Sequence, residues 1–568
     1  MSSPVRVASV GCCHGALNEI YANIYKEMEA REWDNIDCVI IGGDFQALRN
    51  SNDATCISVP PKYKQIGDFH EYYSGQRIAP FLTIFCGGNH EAGNHLFELY
   101  YGGWVAPNIY YLGAANVLRL GPLRIAGMSG IWKGYDYRKT HFERIPYAYG
   151  DTQSIYHIRE LDVRKLLQIR TQVDLGLSHD WPRAIEKLGD SQSLFRMKKF
   201  LQEDSIHGRL GSQAARNVLD RLRPAYWLSA HLHVKFALTM GHDGCRLRKV
   251  HPGNNKPVDW GYEAVEPNGE NSIEDNTIDT PVTSLVTDVD TKMKNVDNEP
   301  IKNDDEINLD SSSESEHGSP VAKRVTLETK DDMFAPSSTP IIPDDIRSKL
   351  PASLSRPSWQ TEQNLPTKPS IPEAIRNKVT KFMALDKPGG HGPYLDLIEV
   401  NAVSEQGEVA LERPFRLQYD PEWLAITRVF AEDLKLGDRS AKVPDDLGQA
   451  AYLDSIIHAE SWVKENIIEP GLLDVPINFT ITAPVYDPSV PITTNEAPPE
   501  YNNPQTDEFC KLLGISNKFV LSDEERAARA EAHAQLPDEP ERSYRGHGRG
   551  RGGRGRGSGR GNRGRSRY

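Results

Sequence analysis

Five short apolar runs, each ending in residues able to hold a metal ion, constrain this chain more than any other feature. Residues 5–10 lead into Gly-Cys-Cys-His-Gly at 11–15, residues 38–41 into Gly-Gly-Asp at 42–44, and residues 81–85 into Gly-Gly-Asn-His-Glu at 87–91. Residues 175–177 lead into Ser-His-Asp at 178–180, and residues 226–228 precede Ala-His-Leu-His at 230–233. Short β-branched and aromatic runs bounded by glycine read as buried strands. Residues 18–31, 158–168 and 213–222 carry apolar positions at helical spacing between these runs, and that alternation predicts an α/β fold. Open α/β sheets collect ligands at the carboxyl ends of their strands. Five such ends bearing Cys, His, Asp and Asn therefore predict a single site.

The rest of the chain divides by composition. Its 568 residues exceed one ordinary domain, and only 38% are hydrophobic. A mean hydropathy of -0.55 predicts that part of the chain cannot bury enough apolar surface to offset chain entropy. Residues 1–245 form the predicted catalytic domain. Residues 246–375, rich in Asp, Glu, Ser, Thr, Asn and Pro, read as a disordered acidic insertion. The run Ser-Ser-Ser-Glu-Ser-Glu at 311–316 is either an acidic phosphorylation site or a solvated charge run. Order is predicted to return in a smaller α+β module at 376–470, with strands at 379–385 and 394–400 beside that of 233–238. Helices at 423–434 and 450–467 close it. Residues 471–541 read as a Pro-rich linker with a short capped helix after Ser522, and residues 542–568 as a disordered Arg-Gly tail. Guanidinium groups on a flexible backbone pair with phosphates and stack on bases, so the tail predicts RNA contact. Protein binding and arginine methylation are the other uses of such a tail.

Net charge is -13, and seven cysteines, an odd number, point to a reducing compartment. The start of the chain lacks the pattern of a secretory leader, and no run approaches the ~20 apolar residues of a membrane span. The expectation is a soluble protein without a membrane partner, in the nucleus, with shuttling to the cytoplasm as a further option.

Nitrogen and oxygen donors dominate the five groups. His14, Asp44, Asn89, His179, His231 and His233 suit Zn, Fe or Mn. Two such ions bridged by one carboxylate clamp a phosphate for in-line displacement. Asp44 is the expected bridge, because it alone places a carboxylate directly after a Gly-rich strand end. His90, beside Asn89, is placed to donate a proton without being a ligand. Asp180 either orients His179 or caps the following turn. The remaining histidines, such as His70, His95 and His157, read as structural.

The ordered motifs resemble the calcineurin-like metallophosphoesterases. That superfamily opens with Asp-x-His, whereas this chain carries Cys12 at the Asp position. Gly-Cys-x-His-Gly, with Gly-Asp-Phe-Gln-Ala-Leu-Arg at 43–49, Ser-His-Asp-Trp-Pro at 178–182, the run at 226–236 and Thr-Lys-Phe-Met-Ala-Leu-Asp-Lys at 380–387, resembles the RNA lariat debranching branch. The resemblance covers residues 1–245 and 376–470. It implies a metallophosphoesterase β-sandwich flanked by helices, and hydrolysis of the 2′-5′ phosphodiester at the branch of excised intron lariats. It further implies one divalent ion on Cys12, His14, Asp44 and His233, and a second on Asp44, Asn89, His179 and His231. His90 would protonate the departing 2′-oxygen. The soft thiolate of Cys12 suits Fe(II) or Zn, with Mn as the other candidate; Cys13 would point away from the site.

Residues 131–141 combine Trp132, Lys133, Tyr135, Tyr137, Arg138 and His141. In the resembling family this region recognises substrate, and stacking with phosphate neutralisation is what branched RNA demands. A helical lid that uses Trp132 and Tyr135 for packing is the other reading. A general metal-dependent nuclease and a non-catalytic RNA scaffold are the competing functions. Protein partners are not readable.

Overall fold

Side-chain alternation decides which layer each strand residue enters. The computed structural model describes residues 4–245, 247–249, 262–264, 371–404 and 412–534. In it β1 (Val5–Val10), β2 (Cys38–Ile41) and β3 (Thr83–Phe85) run parallel as neighbours. Successive strand residues face opposite sides. Val5, Val7, Cys38, Ile40 and Ile84 enter the central core. Ala8, Val10, Val39, Ile41 and Phe85 enter a second core under the helix Leu17–Ala30, whose Leu17, Ile20, Tyr21, Ile24 and Met28 form its inner stripe.

Beyond β3 lie β4 (Gly103–Ala106) and β5 (Ile109–Tyr111), giving a first sheet ordered β14-β1-β2-β3-β5-β4. The second sheet is built from β6 (Ala115–Leu120), β7 (Leu123–Met128), β8 (Leu175–Ser178), β9 (Tyr226–Ser229) and β10 (Phe236–Gly241). It is completed from the far part of the chain and runs β10-β13-β9-β8-β7-β6-β15. Leu118, Ile125, Leu175, Trp227 and Phe382 of this sheet share the central core with the inner face of the first. The result is the β-sandwich that the resemblance implies. The helices Glu160–Leu167 and Gln213–Leu222 pack on one another, and Leu161, Leu166, Val218 and Leu222 join that core. A ribbon of β11 (Leu247–Lys249) and β12 (Tyr262–Ala264) pairs antiparallel.

The late strands meet expectation in part: the strand at 379–385 does neighbour that of 233–238, but the strand at 394–400 does not. β13 (Val379–Ala384) lies between β10 and β9, antiparallel to the first and parallel to the second. β14 (Leu395–Val400) instead crosses to the first sheet and pairs with β1 from Val5↔Val400 to Val10↔Leu395. β15 (Leu417–Tyr419) edges β6. The strands of 379–385 and 394–400 are therefore not neighbours, and the segment 376–470 is woven into both sheets instead of packing on them as a module. The turn between them is closed by Asp386. Asp386 accepts the amides of Lys387 and Gly392, both at 2.8 Å, and a Cβ at Gly390 would lie 2.4 Å from Asp386 Oδ1.

Residues 471–503 are not a linker either. Proline-rich extended chain leaves carbonyls without ladder partners, and side chains of the sandwich supply them. Asn50 Nδ2 donates to Pro484 O (2.7 Å), Ser51 Oγ to Val490 O (2.8 Å) and Asn52 Nδ2 to Glu496 O (2.9 Å). The Tyr73 hydroxyl accepts from Thr482 N and Ala483 N and donates to Ala483 O. The helix Pro504–Leu513 then buries Phe509, Cys510 and Leu513. Before the helix Asp523–Ala534, Ser522 and Glu525 form the reciprocal capping box that the sequence predicts. Most of the predicted insertion and all of the Arg-Gly tail lie outside the described residues. Residues 371–375 are described, and Ile375 is buried.

Without residues 371–534, β1 and β9 each lose a strand partner, and open apolar edges drive aggregation. A chain divided into residues 1–264 and 370–568 should yield one soluble complex on co-expression and an insoluble first piece alone. A soluble, monomeric, cooperatively melting 1–264 piece would contradict this weaving.

Candidate metal centre

The five strand ends converge. Just beyond β1, β2 and β9 the backbone enters the left-handed region at His14 (φ 49°), Asp44 (φ 44°), Gln46 (φ 62°), His231 (φ 66°) and His233 (φ 48°). Non-glycine residues there carry of order 1–3 kcal/mol of strain each and cluster at functional sites. Glycines make the approach possible. A Cβ on Gly43 would lie 2.3 Å from His179 Nδ1, and one on Gly88 would lie 2.2 Å from Asp44 Oδ1 and 2.8 Å from His179 Cε1.

All seven predicted ligands meet around Asp44. On one side, donor atoms of Cys12, His14, Asp44 and His233 lie within 4.8 Å of one another. His14 Nε2 is 3.1 Å from His233 Nε2 and 3.7 Å from Asp44 Oδ2. On the other side, His179 Nε2 is 3.3 Å from Asp44 Oδ1 and 3.2 Å from Asn89 Oδ1. His179 Nδ1 donates to the Gly42 carbonyl at 2.8 Å, which leaves Nε2 its lone pair. The His231 ring lies 4.9 Å from that of His179, and its backbone N–H donates to Cys12 Sγ at 3.3 Å. Cys13 faces the other way, into the second core.

The electrostatics suit a cation. Burial pushes His14 down to about 4, His231 to about 3 and His233 to about 2, so all three imidazoles are neutral near pH 7 and can donate lone pairs. Burial by itself would raise the Asp44 carboxyl, but the surrounding histidines, His179 foremost, hold it well below the carboxylate range. Burial and then Asp44 push the Cys12 thiol well up, so its thiolate needs a compensating positive charge. Two ring nitrogens facing each other at 3.1 Å, beside a buried carboxylate and thiol, fit a divalent cation.

His90 stands beside this cluster. Its backbone N–H donates to Asp44 Oδ1 at 2.9 Å, and its ring lies 5.8 Å from that of His14. Its Nδ1 is buried with no hydrogen-bond partner among the described residues.

The Asp180 carboxylate accepts from Trp132 N at 3.2 Å, which anchors the 131–141 segment, and from the Trp181 N–H of the turn that follows it. Within that segment Tyr135 and Arg138 are exposed, and Trp132, Lys133 and Tyr137 are half-buried. Trp132 and Tyr137 pack with ring centroids 4.8 Å apart. His141 turns inward, where its Nε2 meets Asp162 Oδ2 at 2.7 Å, and it lines a cavity together with Gly88 and Glu91. The segment therefore has a packed base at Trp132 and Tyr137 and an exposed rim at Tyr135 and Arg138.

Three residues at the site went unassigned. The buried Glu91 carboxylate accepts from Phe45 N (2.7 Å), Gln46 N (2.8 Å) and Gly88 N (2.9 Å), tying the Asp44 loop to the Asn89 loop. Burial foremost, and then Asp44, raise it to about 8. The Gln46 Nε2 amide nitrogen lies 3.3 Å from His14 Nδ1 and holds the ring in place. Lys387 reaches the cluster from the late part of the chain, because Asp386 O accepts Cys12 N at 3.2 Å. It adds to the burial-driven lowering of His14 and His233, as Lys133 does for His231. Glu91 was visible in its motif and Lys387 ends the 380–387 motif, but spacing alone gives neither a role.

Comparison with known proteins agrees with this geometry. A family model described as calcineurin-like phosphoesterase matches residues 5–235, which defines the class as a metallophosphoesterase and implies divalent metal ions. A second, described as the lariat debranching enzyme C-terminal domain, matches residues 377–518. The chain is 37% identical over 519 residues to the lariat debranching enzyme of Schizosaccharomyces pombe, covering 91% of this chain and 97% of that one. It is 35% identical over 512 residues to that of Homo sapiens, covering 90% and 69%, and 32% identical over 511 residues to that of Arabidopsis thaliana, covering 90% and 86%. The chain belongs to the lariat debranching enzyme family.

Gly88→Ala should displace Asp44 or His179 and lower metal affinity at least ~10-fold, the scale on which a disturbed ligand support acts; metal retained at the wild-type level after dialysis against a chelator would contradict the packing. Acid should also weaken the metal-free protein. Histidines held below their ordinary value bind protons mainly in the unfolded chain, so stability falls as pH drops from about 6.5 toward 4. A melting temperature that stays flat over that window would contradict the buried, neutral imidazoles.

Proposed function

We propose that this chain hydrolyses the 2′-5′ phosphodiester at the branch point of excised intron lariats, leaving linear intron RNA for turnover. The observation that carries the reading is Cys12 standing within one donor cluster with His14, Asp44 and His233, at the position where the wider superfamily has an aspartate, in a chain of this family. Two divalent ions are proposed, the first on Cys12, His14, Asp44 and His233 and the second on Asp44, Asn89, His179 and His231. When bound, they polarise the scissile phosphate and acidify water. The thiol of Cys12 favours Fe(II) or Zn over Mg in the first position, and Mn suits the remaining N/O donors.

The other groups act on the substrate. His90, held against Asp44 by its own N–H, donates a proton to the departing 2′-oxygen, a role typically worth ~10²–10⁴-fold. Lys133 and Lys387 approach the cluster from two elements and neutralise phosphate. The exposed Tyr135 and Arg138, above the packed Trp132–Tyr137 pair, contact the nucleotides around the branch. The Arg-Gly tail adds salt-sensitive affinity without specificity, and the proposed compartment is the nucleus.

Incubation with branched and linear RNAs of matched length tests the reading. Rapid cleavage of the branch with the linear RNA intact is expected, and equal cleavage of both would indicate a general nuclease. His90→Ala should lower kcat ~10²-fold or more with metal content unchanged; full turnover would remove His90 as the acid. Deleting residues 542–568 should weaken RNA binding at low salt and leave single-turnover cleavage intact, whereas unchanged affinity would remove the tail's role.

A further inference from the structure

Between His179 and the helix Gln213–Leu222 the chain makes an excursion that the proposed chemistry does not use. It is fastened at its base, where Ser212 N donates to Trp181 O (2.7 Å) and Arg183 N to Ser212 O (3.0 Å). Trp181, two residues after His179, is buried and donates its indole N–H to Ala230 O at 2.7 Å, next to His231. The excursion folds back on β10, since a Cβ at Gly189 would lie 2.7 Å from Phe236 Cζ, and Phe236 is three residues after His233. Both anchors thus adjoin metal-ligand positions, and the excursion is held at the rim of the centre.

Its outer face is predominantly basic from Lys187 to Lys199, ahead of the acidic pair Glu203 and Asp204. The short helices Ser191–Met197 and Leu201–Ile206 turn Leu194 and Leu201 into the core. They leave Arg196, Met197, Lys199 and Phe200 exposed, with Lys187 and Leu188 ahead of them and Lys198 half-buried. Lys187, Lys198 and Lys199 make no ion pair among the described residues. Residues 183–200 carry five Lys or Arg and two Asp or Glu in a chain whose net charge is -13, and one of the two acids, Glu186, is buried against Ser205. A positive strip on a negative protein is the electrostatic footprint of a polyanion site. Exposed Phe200 (46%) and Met197 (61%) beside it supply the apolar contacts on which unpaired bases stack. Arg183 continues the strip inward, its guanidinium 5.9 Å from the Trp132 ring.

We propose that the outer face of residues 187–200 is a track for single-stranded RNA, holding an arm of the branched substrate beyond the branch nucleotides. It rests on the reading of the chain as an RNA hydrolase, and it predicts that arm length, not the branch, determines how much the track matters.

The test compares wild type with Lys187→Glu/Lys198→Glu/Lys199→Glu and, separately, with Phe200→Ser, on two substrates: a minimal branched RNA with one nucleotide per arm, and a branched RNA with arms of about 20 nucleotides. The triple variant should raise KM for the long-armed substrate about tenfold and leave kcat and all turnover of the minimal substrate unchanged. Its binding to linear single-stranded RNA should lose about 2 from the slope of log affinity against log salt, since each phosphate contact to a single strand contributes ~0.7. Phe200→Ser should weaken long-arm binding without changing the slope. The Arg versions of the three lysines should retain wild-type behaviour. Unchanged KM and slope would overturn the track and leave the face to a protein partner. Equal loss on both substrates would overturn it as well, because the change would then act on the centre. If wild type binds linear RNA as described but cleaves no branched RNA, the catalytic reading fails while the track stands.

Discussion

One buried carboxylate organises the centre from two sides. Asp44 presents Oδ1 toward His179 and the His90 amide and Oδ2 toward His14, so each oxygen belongs to a different half of the donor set. Placing a charge there requires a left-handed residue at a strand end, glycines on both flanking loops and neutral histidines around it. Each requirement is met by a residue that would be a poor choice elsewhere in a sheet. The strain and desolvation held at this point are what a pair of divalent cations would relieve.

Support for that point is spread along the whole chain. Cys12 reaches the cluster while its backbone N–H is held by Asp386 O from the end of β13. The loop after Asp44 is gripped at residues 50–52 by carbonyls of 484–496. Arg49, fully buried, pairs with Asp53 and Glu98 and touches Thr482. Removing one charged partner from a buried, paired network of this kind typically destabilises by ~3–5 kcal/mol, and the late segment joins that network through the Thr482 hydroxyl.

The ligand-bearing strand ends were legible because metal chemistry restricts residue types and glycine marks the turns. β4 to β7 were not, since runs such as Ala115–Leu120 carry ordinary core residues and announce no function. The crossing of β14 to the first sheet was equally hidden: apolar alternation gives a strand but not its neighbour. Proline counts suggested a free linker at 471–503, yet proline withholds only a donor; the carbonyls remain, and Asn50, Ser51 and Asn52 find them. The side-chain partners of Asp180 and His141 were hidden for a related reason. A polar residue near a site can face the site or the scaffold, and only the fold decides; Asp180 holds Trp132, and His141 holds Asp162.

The central claim is that Asp44 is shared by two ions. Anomalous diffraction from crystals of the full chain grown with Mn²⁺ tests it directly. Two peaks are expected, one on each side of the Asp44 carboxylate, the first within ligand distance of Cys12 Sγ and His233, the second of Asn89 and His179. A single peak, or ions bound away from Asp44, would contradict the account.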